Sequence, residues 1–184
     1  MKQSKKILIA NRGVIAIRAL RAARELGYSV ASVYSTIDRD QKHLKLSDEA
    51  ICIGPPETKD SYLNEAAIIS AAELSGADAI YPGFGFLAEN ASFAEKCRES
   101  GFKFIGPDPE VIAIMGDKIK AKELAKSLNI PVVPGYEGEI STENEAIKIV
   151  EEIGYPVIIK ASAGGGGRGM RVVNSSDELW QSIQ

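Results

Sequence analysis

The chain has 184 residues, of which 45% are hydrophobic and 26% are charged, and its formal net charge at pH 7 is −3. This is an ordinary globular composition, and the weakly acidic balance gives no electrostatic reason to expect nucleic acid or an anionic membrane as a partner. Because there is one histidine, a site built from three histidines is excluded.

The cysteines and the start of the chain bear on its location. Cys52 and Cys97 lie far apart in otherwise regular segments, which predicts two reduced, buried thiols. Apolar runs do not reach the length of a membrane span, and residues 1–6 lack the apolar core and cleavage site of a signal peptide. We therefore expect a cytoplasmic protein.

Strand and helix signals alternate along the first hundred residues. Short apolar runs predict strands at 6–10, 29–34, 50–53, 79–81 and 103–105, with helices at 14–26, 65–74 and 91–100. Asn64 and Asn90 are placed to cap the second and third helices. The alternation predicts an α/β domain with a parallel sheet covered on both faces.

Ligands of such sheets bind at the carboxyl ends of the strands. Residues 11–13 and 82–86 follow two of the predicted strands, so we expect both segments at this edge. The first strand is not followed by G-x-G-x-x-G, so dinucleotide binding is not supported.

The second half of the chain begins with two predicted helices, and a boundary segment follows them. Asp108 and Asp117 are placed to cap helices that end at Met115 and at Leu128. The prolines and glycine of 130–135 mark a boundary. We expect a first domain at 1–114, a helical linker at 115–130 and a second, partial unit at 131–184.

The second unit is predicted to contain two helices and a strand pair. Thr142 and Glu145 fit a capping box for a helix that ends at Ile153, and strands are predicted at 156–160 and 170–173. A last capped helix begins near 175–178. Because one strand pair and two helices bury little core, we expect this unit to be incomplete.

A glycine-rich segment carries the sharpest functional signal. The sequence from Lys160 to Gly169 contains four consecutive glycines followed by an arginine. Each glycine loses much backbone entropy on ordering, whereas bare backbone N–H groups can wrap an anion. A P-loop is excluded, because G-x-x-x-x-G-K-[ST] is absent. A flexible hairpin turn would need only one or two glycines, so we predict a phosphate-binding lid.

Two further segments are weaker signals. Lys118 opens a predicted helix, where a cation opposes the helix dipole; this hints at an anionic partner, although a solvated lysine is the simpler interpretation. The loop 81–90 has two glycines and two aromatic residues at a strand end. It suits a substrate-facing loop, and core packing of the aromatic rings explains the composition equally well.

Two polar features remain. Arg18, Arg21 and Glu25 share one face of the first helix, and a solvated face is the simplest explanation. His43 has no partner that the sequence identifies, so a surface or structural role is expected.

Taken together, the motifs resemble those of biotin carboxylases, in order and spacing and over nearly the whole chain. The segments that carry the resemblance are Ala-Asn-Arg-Gly at 10–13, Tyr-Pro-Gly-Phe-Gly-Phe-Leu-Ala-Glu-Asn at 81–90, Ile-Gly-Pro at 105–107, Met-Gly-Asp-Lys at 115–118, and Gly-Tyr-Pro-Val-Ile-Ile-Lys-Ala-Ser-Ala-Gly-Gly-Gly-Gly-Arg-Gly-Met at 154–170. The resemblance implies a Rossmann-like, parallel-sheet pre-ATP-grasp domain followed by an incomplete ATP-grasp lid subdomain.

The resemblance also implies residue roles. Lys118 and Lys160 would bind the phosphates of ATP. Gly165, Gly166 and Gly167 would supply backbone N–H groups of the lid, and Met170 would lie near the nucleotide. Phe84, Gly85 and Glu89 would belong to a substrate-side loop. Arg18, Arg21 and Glu25 would lie at a homodimer interface.

The implied activity is the ATP- and bicarbonate-dependent carboxylation of biotin on a biotin carboxyl carrier protein, with magnesium as metal and a carboxyltransferase as further partner. A parent acetyl-CoA carboxylase, and hence fatty acid synthesis, is expected. In the family the adenine hinge, the magnesium carboxylates, the bicarbonate-binding residues and the proposed base follow later than position 184. We therefore expect no catalytic residue and no metal ligand in these residues, and no turnover by them alone.

Three positions depart from the family pattern. Val14 stands where the family usually has glutamate, Phe84 replaces a tyrosine beside the substrate pocket, and Tyr81 replaces a common histidine. One other interpretation stays open, a non-catalytic regulatory short form that pairs with a full-length carboxylase. The combination of Ala-Asn-Arg-Gly with the four-glycine lid counts against another ATP-grasp ligase, such as a carbamoyl-phosphate or purine-pathway enzyme.

Overall fold

A computed structural model describes residues 5–133, 135–136, 140–160 and 169–183. The chain divides into two compact units, one that ends at Ala121 and one that begins at Lys122. Within the part that the structure describes, every helix is too short or too polar to cross a lipid bilayer.

The first unit alternates strands and helices. Its elements are β1 (Lys6–Ile9), α1 (Gly13–Glu25), β2 (Ser29–Ser35), α2 (Lys42–Leu46), β3 (Glu49–Gly54), α3 (Glu65–Ser75), β4 (Ala79–Tyr81), α4 (Ala91–Glu99), β5 (Lys103–Phe104), α5 (Pro109–Gly116) and α6 (Lys118–Ser127), the last of which crosses into the second unit. Short 3-10 turns follow β2 at Thr36–Asp38 and β3 at Thr58–Asp60.

The strands form one parallel sheet in the order β3-β2-β1-β4-β5, which confirms the predicted architecture. Side chains of β1 alternate between two cores, because successive residues of a strand point to opposite faces. Leu8 joins the core that includes Ile68 of α3 and Phe93 of α4. Ile9 joins the core that includes Leu20 of α1.

Of the four helix caps predicted in the first unit, three form and one does not. Asn64 accepts a hydrogen bond from the N–H of Ala67 at 3.1 Å, and Asn90 accepts one from Phe93 at 2.9 Å. Asp117 accepts from the N–H groups of residues 119 and 120 at 3.0 and 3.2 Å. The prediction for Asp108 was wrong: its backbone carbonyl accepts the first bonds of α5, and its side chain makes no capping bond.

Two features of the first unit differ from the sequence-based expectation. Cys52 is exposed rather than buried, because β3 is an edge strand and this residue lies on its outward side. Cys97 is buried as predicted. Helix α2 was not predicted, since its five residues lack a capping side chain and are too few for a periodic pattern.

The second unit is built on a β-hairpin. Strands β6 (Val157–Lys160) and β7 (Met170–Val173) pair antiparallel, and α7 (Glu143–Ile153) and α8 (Ser176–Ile183) pack with them around Ala146, Val150, Val173 and Leu179. Thr142 caps α7 by accepting from the N–H of Glu145 at 3.3 Å. The predicted lid glycines, Gly165, Gly166 and Gly167, lie outside the described residues.

Candidate functional site

Asn11 joins two loops at the carboxyl edge of the sheet. Its side chain is 1% exposed, and its amide Nδ2 donates to the carbonyl oxygens of Pro82 at 2.7 Å and Phe84 at 3.0 Å. Its Oδ1 accepts from the N–H of Arg12 at 2.9 Å. The segments after β1 and β4 therefore meet at this edge, as their positions in the sequence predicted.

Arg12 is held between a carboxylate and two aromatic rings. Its Nη1 donates to Oδ2 of Asp38 at 3.0 Å, and its guanidinium carbon lies 5.2 Å from the ring centre of Tyr62 and 5.6 Å from that of Phe86. These rings stack on each other at 4.8 Å. Cation–π attraction and the ion pair thus fix the same guanidinium from different directions.

Asp38 is the centre of this cluster. It is 4% exposed, and four side chains donate to its carboxylate: Gln41 at 2.7 Å, Tyr62 at 2.7 Å, Ser35 at 2.8 Å and Arg12 at 3.0 Å. Burial alone would raise the pKa of Asp38, but the hydrogen bonds from Tyr62, Ser35 and Arg12 hold that pKa below its usual value. The carboxylate is therefore charged and fully used in binding its neighbours.

Sequence reasoning missed Asp38 and Tyr62. A signal was present for Asp38, which follows the end of β2 by three residues and so lies at the edge shared with β1 and β4. Tyr62 gave no such signal, because it belongs to no strand end and reaches the cluster only through the packing of the segment between β3 and α3.

The loop 82–90 divides its aromatic residues between core and solvent. Phe86 stacks inward on Tyr62, whereas Phe84 is 69% exposed. Gly85 and Glu89 are exposed as well. Core packing therefore holds for Phe86. The exposed part of this loop contains the three residues expected on the substrate side, and their role stays a prediction.

The outer face of α1 is exposed along its length. Arg18, Arg21 and Glu25 all face solvent, and none of them forms an ion pair with a described residue. Val14, on the same stripe, is 82% exposed.

In the second unit, Lys160 and Met170 are direct neighbours. They are partners in the register of β6 and β7, at the end of the hairpin where the glycine segment connects the strands. Both are exposed, as are Ile158 and Val172 on the same face of the hairpin. This face therefore offers three exposed apolar side chains beside a cation.

Lys118 is the first residue of α6, and the preceding Asp117 is occupied with capping that helix. Among the described residues no group of three or more histidine, cysteine, aspartate or glutamate side chains is arranged to hold a metal ion.

Comparison with known proteins first defines the class. Residues 3–112 match the family model for the biotin carboxylase N-terminal domain, and residues 117–184 match the model for the ATP-binding domain of the carbamoyl-phosphate synthase L chain. The fold and these matches are those of biotin carboxylases, which have an ATP-grasp lid, and the chain belongs to the biotin carboxylase family.

Individual relatives agree with this assignment. Biotin carboxylase of Haemophilus influenzae is 58% identical over 179 residues, which are 97% of this chain and 40% of that protein. The crystal structure of a biotin carboxylase beta-gamma-ATP complex from Campylobacter jejuni matches with a TM-score of 0.89 at 52% identity, over 97% of this chain and 40% of that one.

A third relative carries ligands. The biotin carboxylase domain of 2-oxoglutarate carboxylase from Hydrogenobacter thermophilus, solved with MgADP, ADP and bicarbonate, matches with a TM-score of 0.86 at 48% identity, over 98% of this chain and 40% of that one. The chain therefore spans about 40% of the length of the relatives it matches.

Proposed function

We propose that this chain supplies the substrate-side loop and the phosphate lid of a biotin carboxylase, which carboxylates biotin on a carrier protein with ATP and bicarbonate. Lys118 and Lys160 bind phosphate oxygens, the N–H groups of Gly165, Gly166 and Gly167 close over them, and Met170 lies beside the nucleotide. Phe84, Gly85 and Glu89 face the biotin and bicarbonate side.

The exposed face of the β6–β7 hairpin carries this proposal. Ile158 is 56% exposed, Met170 is 49% exposed and Val172 is 60% exposed, and all three lie on the side of the hairpin that carries Lys160. Apolar side chains at such exposure suit the base and ribose of a nucleotide, while a lysine at the end of the strand suits its phosphates.

ATP is therefore a fitting ligand for the residues present, whereas magnesium is not placed by them. Bound magnesium would neutralise charge on the phosphates. The described residues provide no cluster of metal ligands, so the proposed roles of this chain are to bind and orient phosphates.

Calorimetry with ATP tests the phosphate role. We expect weak saturable binding by the chain and its loss in Lys160→Ala, because the variant removes the cation at the end of the hairpin. Lys148→Ala is the matched control, since Lys148 is an exposed lysine of the same unit on α7. Equal binding by both variants would contradict the assignment.

Tripolyphosphate separates the two parts of the site. If the apolar face contributes, ATP binds more tightly than tripolyphosphate to the unaltered chain. Equal affinities would show that the hairpin face takes no part in binding the nucleotide.

The same proposal extends to partners and location. A biotin carboxyl carrier protein and a carboxyltransferase are the expected partners in the cytoplasm, and acetyl-CoA carboxylase of fatty acid synthesis is the proposed parent. The acyl acceptor is chosen by the carboxyltransferase, so purification with an acetyl-CoA rather than a 2-oxo-acid carboxyltransferase supports this parent. Capture of the other type alone would refute it.

The exposed stripe of α1 favours a second role in self-association. Arg18, Arg21 and Glu25 lie on one face without an ion-pair partner among the described residues, as expected for one half of a homodimer interface or for a regulatory short form that pairs with a full-length carboxylase. Co-purification with a full-length relative, lost in Arg18→Glu, supports this role. Equal recovery of both forms would oppose it.

A further inference from the structure

The backbone of the loop 82–90 is strained at Phe86. Among the described residues, Phe86 and Asn129 are the non-glycine residues with a positive φ, at 42° and 57°. Asparagine tolerates this conformation because its short polar side chain can bond locally, whereas a bulky aromatic residue there is an outlier. Such strain persists only where the surrounding structure holds the residue in place, so the neighbours of Phe86 must supply a restraint.

The restraint acts on the aromatic ring of Phe86. This ring stacks on that of Tyr62, with 4.8 Å between the ring centres and an angle of 14° between the planes. The guanidinium carbon of Arg12 lies 5.6 Å from the centre of the Phe86 ring and 5.2 Å from that of the Tyr62 ring. Three planar groups therefore attract one another, and Phe86 would lose both contacts if its backbone relaxed.

A single carboxylate oxygen fixes both partners of the Phe86 ring. Oδ2 of Asp38 accepts a hydrogen bond from the hydroxyl of Tyr62 at 2.7 Å and one from Nη1 of Arg12 at 3.0 Å. The carboxylate is buried, where hydrogen bonds to a charged acceptor are stronger than in water. The position of the ring therefore depends on one buried anion as well as on apolar packing.

The loop is held at a second point by Asn11. The amide of Asn11 donates to the carbonyl oxygens of Pro82 and Phe84 at 2.7 and 3.0 Å. The exposed side chain of Phe84 therefore lies between two restraints, the Asn11 amide before it and the stacked ring of Phe86 after it. A loop held on both sides of its exposed residue can present that residue in a fixed direction.

We propose that Asp38 is a positioning residue for the carboxylation of biotin. Its carboxylate holds Arg12 and Tyr62 against the ring of Phe86. The fixed ring in turn presets the loop 82–90 towards biotin and bicarbonate, and Asp38 itself touches no substrate. The inference rests on the proposed function of this loop, whereas the restraint on Phe86 is tested on the chain alone.

Hydrogen exchange of two loop amides tests the restraint. The N–H of Ala88 bonds to the carbonyl oxygen of Gly85 at 2.9 Å. The N–H of Asn90 bonds to that of Leu87 at 3.2 Å. Protection of these amides therefore reports how often the loop opens. Asp38→Asn is expected to speed their exchange about tenfold or more, because it frees the loop; unchanged rates would overturn the proposal.

Val30→Ala is the matched control for a general loss of stability. Val30 is fully buried in the core that includes Leu20 of α1, whereas Tyr62 lies in the opposite core. We expect the loop amides of this variant to change by less than about twofold. Equal increases in both variants would overturn the proposal, because Asp38 would then act only through overall stability. If Asp38→Asn does not fold, Tyr62→Phe replaces it, since this variant keeps the ring and loses the hydrogen bond to Asp38.

A second substitution tests the route through the ring. Phe86→Gly removes the ring and adopts a positive φ without strain. Its loop amides should exchange at the raised rate, and adding Asp38→Asn should change that rate by less than about twofold, because both changes break the same link. A full effect of Asp38→Asn in this background would overturn the proposed route.

Kinetics test the positioning role. Residues 1–184 are joined to the remaining polypeptide of the Haemophilus influenzae relative, of which they match 40%. In the joined protein Asp38→Asn should raise KM for bicarbonate and for biotin about fivefold or more, while KM for ATP changes less than about twofold. Equal changes in all three KM values, or a fall in kcat alone, would refute a positioning role.

The two measurements separate this inference from the proposed function on which it rests. Faster loop exchange with unchanged KM values for bicarbonate and biotin would refute the placement of the loop on the substrate side, and the positioning role with it. Unchanged exchange would overturn the restraint by Asp38 and leave that placement standing. If the unaltered joined protein is inactive, the kinetics are measured at the aligned position of the complete Haemophilus influenzae protein.

Discussion

At the scale of single residues, Asp38 organises the carboxyl edge of the sheet. A buried carboxylate is costly unless it is paired and hydrogen-bonded, and here four side chains satisfy it. Arg12 and Tyr62, which it binds, both contact Phe86 of the loop 82–90.

Asp38→Asn is expected to lower the free energy of unfolding by about 2–3 kcal/mol, because it removes the buried charge that pairs with Arg12 and turns an amide towards donors. Urea denaturation measures the change. Asp48→Asn is the control. Asp48 pairs with Arg24 at the same distance of 3.0 Å, but the side chains of Arg24 and Asp48 are 44% and 46% exposed. It should cost less than about 1 kcal/mol, and equal losses would contradict the role given to Asp38.

His43 is expected to make the protein sensitive to mild acid. It is fully buried, and its Nδ1 has no hydrogen-bond partner among the described residues. Burial lowers its pKa below 6.5, and this exceeds the opposing effects of the Val33 carbonyl and Asp38. Below pH 6.5 the unfolded chain therefore binds a proton that the folded chain does not, so stability falls from there down to the folded-state pKa.

Urea midpoints measured between pH 7.5 and pH 5 test this expectation. The chain has one histidine, so His43→Gln removes the histidine contribution altogether. The slope of stability against pH in this range should flatten in the variant. A variant that keeps the full slope would assign the acid sensitivity to other groups.

At the scale of elements, the loop after β4 depends on a close approach to α1. A Cβ added at Gly83 would lie 2.7 Å from Cγ2 of Ile15 and 2.9 Å from Nδ2 of Asn11, and its φ is +71°. Gly85 has the same φ but nothing within 4 Å of its added Cβ. The two glycines therefore share the backbone requirement and differ in the space around them.

Gly83→Ala should destabilise the protein by about 1–3 kcal/mol more than Gly85→Ala, because only position 83 adds an overpacking cost to the cost of positive φ. The difference in free energy of unfolding between the two variants is the measurement. A difference near zero would show that Ile15 and Asn11 move aside freely, and that the loop is not fixed by this contact.

At the scale of the whole molecule, residues 1–184 contain the proposed phosphate-binding cations, Lys118 and Lys160, and their described part includes no cluster of metal-ligating side chains. Phosphoryl transfer depends on metal ions and on positioning together. We therefore expect these residues on their own to show no bicarbonate-dependent hydrolysis of ATP, with the complete Haemophilus influenzae enzyme as positive control. Release of ADP that increases with bicarbonate and is lost in Lys160→Ala would refute this expectation.

The sequence determined the order of helices and strands along the chain, and it showed which strand ends meet at the carboxyl edge of the sheet. Its alternating apolar runs and its glycine, asparagine and aspartate signals depend on local backbone preferences, which act within a few residues. The parallel sheet and the caps at Asn64 and Asn90 followed from them, whereas the family followed from the resemblance of the motifs. The division at 114 and 130, and the roles of Lys118, Lys160 and Met170, remain predictions.

Only the tertiary structure decided which side chains meet across long separations. The Asp38–Tyr62 contact, the inward turn of Phe86 and outward turn of Phe84, and the burial of His43 depend on how distant segments pack. The exposure of Cys52 depends on its strand lying at the sheet edge. These features depend on three-dimensional packing between distant segments, and the residue pattern of a single segment does not predict such packing.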